Sequence, residues 1–150
     1  MRCPVAERIA IVGARDASPE TLAQVRELVE SLPDGTIVVS GGAAGVDSEA
    51  ATHARDRGLV TLEFSIVKTI MNRHTGAHFL SVDVKYGEED SEPHVSFFGT
   101  PLYRDALIFR NTLIAIECDR MVAFVDGSKG GTWDAVAQAK RFRRPCEVIR

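Results

Sequence analysis

The chain predicts an α/β fold, a Rossmann-like doubly wound parallel sheet with a small inserted hairpin, and three observations carry that expectation. Short apolar runs, Glu7 to Gly13, Thr36 to Ser40 and Met121 to Val125, read as strands buried on both faces. Stretches of helical period separate them, as in Leu22, Val25, Leu28, Val29 and Leu32. Glycine-rich turns then join strand to helix at Gly13-Ala14-Arg15, at Gly41 to Asp47 and at Asp126 to Thr132.

Each element has its local reason. Ser18-Pro19-Glu20 supplies a cap and a first-turn proline for the first helix, and Pro33-Asp34-Gly35 stops it. Asp47 to Arg57 alternates small and charged residues, suiting a helix packed closely on a sheet, with Gly58 as its C-cap. Leu59 to Phe64 is the third strand, completing one half of a doubly wound fold. From about residue 65 to 101 the rhythm breaks. Ile66 to Arg73 reads as a short helix. His78 to Tyr86 and His94 to Phe98 read as the strands of an inserted hairpin, joined by the acidic turn Gly87 to Pro93. Such a flap covers a ligand site, forms a dimer contact or is an inert decoration. Regularity returns with a long apolar helix from Leu102 to Glu117, a strand at Met121, a helix from Thr132 to Phe142 and a closing strand from Cys146 to Ile149. The whole of 1–150 is expected to form one domain.

Composition narrows the class of function. At 150 residues and 45% hydrophobic, the chain buries a core without covalent staples. A net charge of −3 gives no global field toward DNA or anionic lipid. The basic run Lys140-Arg141-Phe142-Arg143-Arg144 reads first as the solvated last turn of a helix and second as a nucleic-acid contact. Cys3, Cys118 and Cys146 are odd in number and lack CxxC spacing, which argues against a disulfide framework or a zinc knuckle. No apolar run is long enough to span a bilayer and the N-terminus lacks a signal-peptide core, so the expected location is cytoplasmic.

The turns point to a ligand class. Glycine lets backbone approach a ligand, and a helix N-terminus offers amides and positive dipole to an anion. In an open parallel sheet the ligand lies beyond the carboxyl ends of the strands, where strand order reverses. That crevice brings Gly13 and Arg15 together with the Asp126–Thr132 turn, flanked by Gly41 to Asp47. The expected ligand is a nucleotide-like small molecule. Gly41, Gly42 and Gly45 would present backbone donors, as would Gly130 and Gly131, while Thr132 adds a hydroxyl. Arg15 and Arg110 would bind phosphate, and Asp126 a ribose hydroxyl.

Structural readings stand beside these. Gly35 and Gly58 are turn residues only. Asp47 reads as a helix-capping acid ahead of a ligand contact. Arg110, in an apolar helix, needs either the site or a partner such as Asp105 or Glu117. Trp133 serves core and base stacking equally well. His74 and His78 would share a helix face but for Gly76 between them; no metal site and no cofactor are expected.

At these residues the chain resembles the SLOG superfamily of Rossmann-like proteins, which includes DNA-processing protein A, the LONELY GUY phosphoribohydrolases and the YspA/YpsA-related group. The YspA-related pattern fits best. Gly13-Ala14-Arg15 stands where that group has Gly-Ser-Arg, Ser40 to Asp47 matches Ser-Gly-Gly-Ala-x-Gly-Val-Asp, Arg110-Asn111 matches Arg-Asn, and Ala123 to Thr132 matches the last motif. The resemblance implies a nucleotide or nucleotide-derived ligand, often in a homo-oligomer, and it is the resemblance that brings Asn111 into the site. The phosphoribohydrolase branch would imply N-glycosidic cleavage of nucleoside 5′-monophosphates. Its Gly-Gly-x-Gly-Thr-x-x-Glu glutamate is here replaced by Ala135, with Asp134 one residue early and turned about 100° around the helix. The DNA-processing branch implies single-stranded DNA binding, ranked third because the chain is mildly acidic.

Overall fold

In a computed structural model, residues 6–87, 95–96, 99–125 and 130–150 are described. The elements run β1 (Arg8–Gly13), α1 (Pro19–Ser31), β2 (Ile37–Ser40), α2 (Val46–Asp56), β3 (Val60–Ile70), β4 (His78–Tyr86), β5 (Val95–Ser96), α3 (Tyr103–Glu117), β6 (Arg120–Phe124), α4 (Gly131–Arg141) and β7 (Cys146–Ile149). They build one sheet in the order β5-β4-β3-β2-β1-β6-β7. The strands from β3 to β7 in that order run parallel, whereas β4 and β5 extend one edge in antiparallel fashion. The Rossmann-like α/β expectation therefore holds.

The period of the strands explains the layering. In β1, Ala10 and Val12 face one side and Ile9 and Ile11 the other. In β6, Met121 and Ala123 alternate with Val122 and Phe124 in the same way. One face packs against α3 and α4 through Ile114, Ala135 and Ala139, and the opposite face against α1 and α2 through Val25, Val29, Ala50 and Ala54. Small alanines on α2 and α4 let those helices lie close to the sheet. Helix α1 starts as its sequence dictates, with Ser18 Oγ accepting from Thr21 N at 3.1 Å and proline in the first turn.

The middle of the chain departs from expectation. Ile66 to Arg73 is not a helix: β3 continues to Ile70 and pairs with β4 from Leu62↔Tyr86 to Ile70↔His78. Ile66, Val67, Thr69 and Ile70 are β-branched, which costs side-chain freedom in a helix and suits a pleated strand. The hairpin thus lies between β3 and β4. Its turn is set by Asn72, whose Oδ1 accepts from His74 N at 2.9 Å and Thr75 N at 3.2 Å. His74 sits in that turn and His78 opens β4, so they share no helix face. Val95–Ser96 does pair with β4 in antiparallel register, but the acidic turn after Gly87, and Phe97 and Phe98, lie outside the described residues. No described helix is long and apolar enough to cross a membrane.

Candidate functional site

The site begins where β1 and β6 end side by side, with Gly13 paired to Phe124. β2 lies on the other flank of β1, so helices leave to opposite faces and a crevice opens between them. Ala14 N donates to Phe124 O at 3.3 Å, and Val46 N to Ala14 O at 3.2 Å, pinning the start of α2 against the end of β1. Glycine is required here by close contact with neighbouring chain. A Cβ on Gly13 would sit 2.6 Å from Val46 Cγ2, and one on Gly45 (φ +78°) would strike the carbonyls of Ala14 and Arg15.

Gly41 packs against two buried charged side chains. A Cβ there would lie 2.9 Å from Asp47 Oδ2 and 3.0 Å from the Arg110 Cζ. Arg110 is buried on α3; its Nη1 donates to Gly41 O at 3.2 Å and its Nε to Asn111 Oδ1 at 3.4 Å. Asp47 is 4% exposed, and Oδ2 accepts from Ala43 N at 3.4 Å. Its Oδ1, like Ser40 Oγ at the end of β2, has no hydrogen-bond partner among the described residues. Burial pushes the Asp47 carboxyl up to about 6, against the pull of the Arg110 charge and the nearby amides of Ala43, Gly13 and Gly41. Burial likewise lowers the Arg110 guanidinium, opposed chiefly by Asp47. The opposite charge that acts most on Arg110 is therefore Asp47, while its hydrogen-bond partners are Gly41 O and Asn111 Oδ1. Glu117 bonds Arg8 at 2.7 Å instead.

The second wall is the start of α4. Gly130 is its N-cap at φ 116°, no described side chain caps the helix, and Trp133 N donates to Gly130 O at 3.2 Å; the N-terminal end of the helix dipole faces the crevice. Buried Asn111 ties α3 to this turn: Nδ2 donates to Gly131 O at 3.1 Å and to Asp134 Oδ2 at 2.9 Å. Asp134 Oδ1 accepts from Gln138 Nε2 at 3.4 Å, so both oxygens of that carboxylate are engaged.

Between these walls lies a cavity of about 420 Å³. Of the residues expected in the site, Gly13, Arg15, Asp47, Arg110, Asn111, Gly130, Gly131 and Thr132 line it. Gly41 lies behind Asp47 and Arg110, Gly45 packs on the end of β1, and Gly42 faces a neighbouring cavity. Asp126 is outside the described residues. Trp133 lines the cavity too, beside the apolar Val12, Leu107 and Ile114. Sequence reasoning missed Tyr103, whose hydroxyl accepts from Arg15 Nη2 at 2.6 Å, and Leu107, which packs on Gly131. A signal was present. Tyr103, Leu107, Arg110 and Ile114 recur at helical spacing and mark one face of α3.

The basic run after α4 divides. Arg144 donates from Nε to Ala115 O at 3.0 Å and from Nη2 to Ile116 O at 2.8 Å, closing the C-terminal end of α3. Arg141 lies 5.3 Å from the centre of the Phe142 ring. No cluster of three or more metal-ligating side chains occurs among the described residues.

The architecture has solved counterparts. DNA processing protein A from Streptococcus pneumoniae shares 20% identity and superposes with a TM-score of 0.67, covering 97% of this chain and 50% of that one. DNA processing protein A from Helicobacter pylori, a protein with a described single-stranded-DNA binding mode, shares 23% identity with a TM-score of 0.61, covering 96% and 65% respectively. The chain thus spans about half to two thirds of the proteins it matches. No curated protein sequence matches it. The DNA-processing branch is one of those embraced by the SLOG resemblance. With its residues 2–149 matched, this chain belongs to the DNA recombination-mediator protein A family.

Proposed function

We propose that the chain binds a nucleotide unit of single-stranded DNA in the cavity between β1, α3 and α4. The observation that carries this reading is the convergence of Arg15, Arg110-Asn111 and the glycine-led start of α4 on one space of about 420 Å³, enough for a single nucleotide. The phosphate belongs at the rim, with Arg15, Thr132 and the N-terminal end of α4. The base belongs against Val12, Leu107, Ile114 and Trp133. Arg110 acts as support, because its charge faces Asp47 and its Nη1 is bonded to Gly41. A relative of the same fold binds single-stranded DNA, which favours a polymer as the carrier of that nucleotide. With a net charge of −3, affinity must come from local contacts rather than a global field.

A free nucleotide is the second reading, favoured by a cavity of one-nucleotide size. Glycosidic cleavage is less well supported. Ala135 offers no carboxylate, and Asp134 is held by Asn111 and Gln138.

Fluorescence anisotropy with a labelled single-stranded oligonucleotide, an equivalent duplex and free mononucleotides tests the proposal. Arg15→Ala should weaken single-strand binding by about tenfold or more, the usual worth of a charge-assisted phosphate contact. Unchanged affinity in that variant, or no binding by the wild type, would overturn the proposal. A mononucleotide binding as tightly as the oligonucleotide would favour the second reading.

A further inference from the structure

A second cavity, also of about 420 Å³, lies on the other side of the turn that follows β2. It is lined by Gly42, Ala43 and Ala44 from the turn, Ser48, Thr52 and Arg55 from α2, Glu63 and Ser65 from β3, and Lys85 from β4. Ala43 lines both cavities, so the two spaces adjoin across the width of one turn. That turn is kept thin: Gly42 has φ +65°, and a Cβ on it would strike the Ser65 hydroxyl.

The two spaces differ in chemistry. The first has large apolar walls and suits a base. Among its described lining residues the second has no apolar side chain larger than alanine; hydroxyls of Ser48, Thr52 and Ser65 and the ammonium of Lys85 supply donors. The carboxylate among its described lining residues, Glu63, is bonded to Arg55 at 3.4 Å and stands opposite Lys85 in the β3–β4 register. Among the described lining residues two cations, Arg55 and Lys85, stand beside one carboxylate. Ser48 stands in the first turn of α2, whose N-terminus has no side-chain cap. Such a space suits a sugar–phosphate group and offers a base nothing to stack on.

We infer that this second cavity holds the phosphodiester and sugar of the neighbouring nucleotide, so that a single strand crosses the Gly41–Gly45 turn with one unit on each side. The inference rests on the reading that the first cavity takes a nucleotide. It gives the β3–β4 extension a role, because Ser65 and Lys85 come from the strands that the extension pairs.

The test compares dTMP, the dinucleotide pTpT and a thymidine oligonucleotide for binding to wild type, Ser48→Asp and Lys85→Gln. Ser48→Asp puts a carboxylate in the first turn of α2, where the helix dipole favours it, so its melting temperature should not fall. The same charge repels a phosphate. Wild type should bind pTpT about tenfold more tightly than dTMP, the size of one charge-assisted contact. Both variants should lose most of that gain with dTMP affinity unchanged. Lys85→Gln should also make the slope of log affinity against log salt shallower by about 0.7, the value for one phosphate on a single strand. If dTMP binds but pTpT binds no better, or if the variants match wild type on the oligonucleotide, this inference falls alone. If neither dTMP nor the oligonucleotide binds wild type, it falls together with the reading on which it rests.

Discussion

Asp47 and Arg110 meet beneath the backbone of Gly41, where the missing Cβ would lie 2.9 Å from the carboxylate and 3.0 Å from the guanidinium carbon. Both side chains are at least nine-tenths buried and come from positions far apart in sequence. The first residue of the Gly-Gly pair is thus the slot through which the turn after β2 passes over a buried carboxylate and a buried guanidinium. Gly41→Ala should destabilise the fold by about 1–3 kcal/mol, the usual cost of overpacking. Urea unfolding measures this, and a loss near zero would show that the two side chains move aside freely.

Burial of Asp47 makes stability pH-dependent in an uncommon direction. Asp47 has its carboxyl raised from 3.8 to about 6 in the folded protein, so in that window the native state holds a proton the unfolded chain has released. Its contribution is full below pH 3.8 and is lost as pH rises through about 6. The shift corresponds to roughly 2–3 kcal/mol. The difference in unfolding free energy between wild type and Asp47→Asn, followed from pH 4 to 7, should change by about that amount, because the variant has no proton to lose. Parallel curves would show that the carboxyl titrates normally.

Asn111 is the bolt between α3 and the first turn of α4. Asn111→Ala leaves Gly131 O and Asp134 Oδ2 without that donor and should cost about 2 kcal/mol. If α4's start forms the rim of the nucleotide site, oligonucleotide affinity should fall as well. Thermal unfolding and anisotropy together decide, and full affinity at reduced stability would take α4 out of the site.

Arg144 is expected to matter for stability and not for DNA. Its guanidinium holds the last carbonyls of α3, so Arg144→Ala should cost about 1–2 kcal/mol. Single-strand affinity should change less than twofold, since this contact carries no phosphate. A tenfold loss of affinity at unchanged stability would place the basic run at the nucleic-acid surface.

Much of this was legible in order. The run from Glu7 to Gly13 announced a doubly buried strand, and Ser18-Pro19 announced the helix after it, because propensity, caps and period are local properties. The convergence of Arg15 and Thr132 was legible too, since parallel strand order sends every strand's carboxyl end to one edge, whereas Asn111 came in only through the family resemblance. Ile66 to Arg73 reads as a short helix, but eight residues carry too little period to separate strand from helix; the β-branching of Ile66, Val67, Thr69 and Ile70 is the better guide.

By itself, then, the sequence determined the α/β alternation, the places where strands stop and helices start, and the edge of the sheet where a ligand would lie. The tertiary structure alone decided that Arg110 faces Asp47 rather than Asp105 or Glu117. It also decided that Gly13, Gly41 and Gly45 are small because other chain segments press on them, and that Tyr103 reaches Arg15. The reason is physical. Caps and periodicity act between residues a few positions apart, whereas the pairing of a buried charge is set by desolvation and close packing among residues brought together by the whole fold.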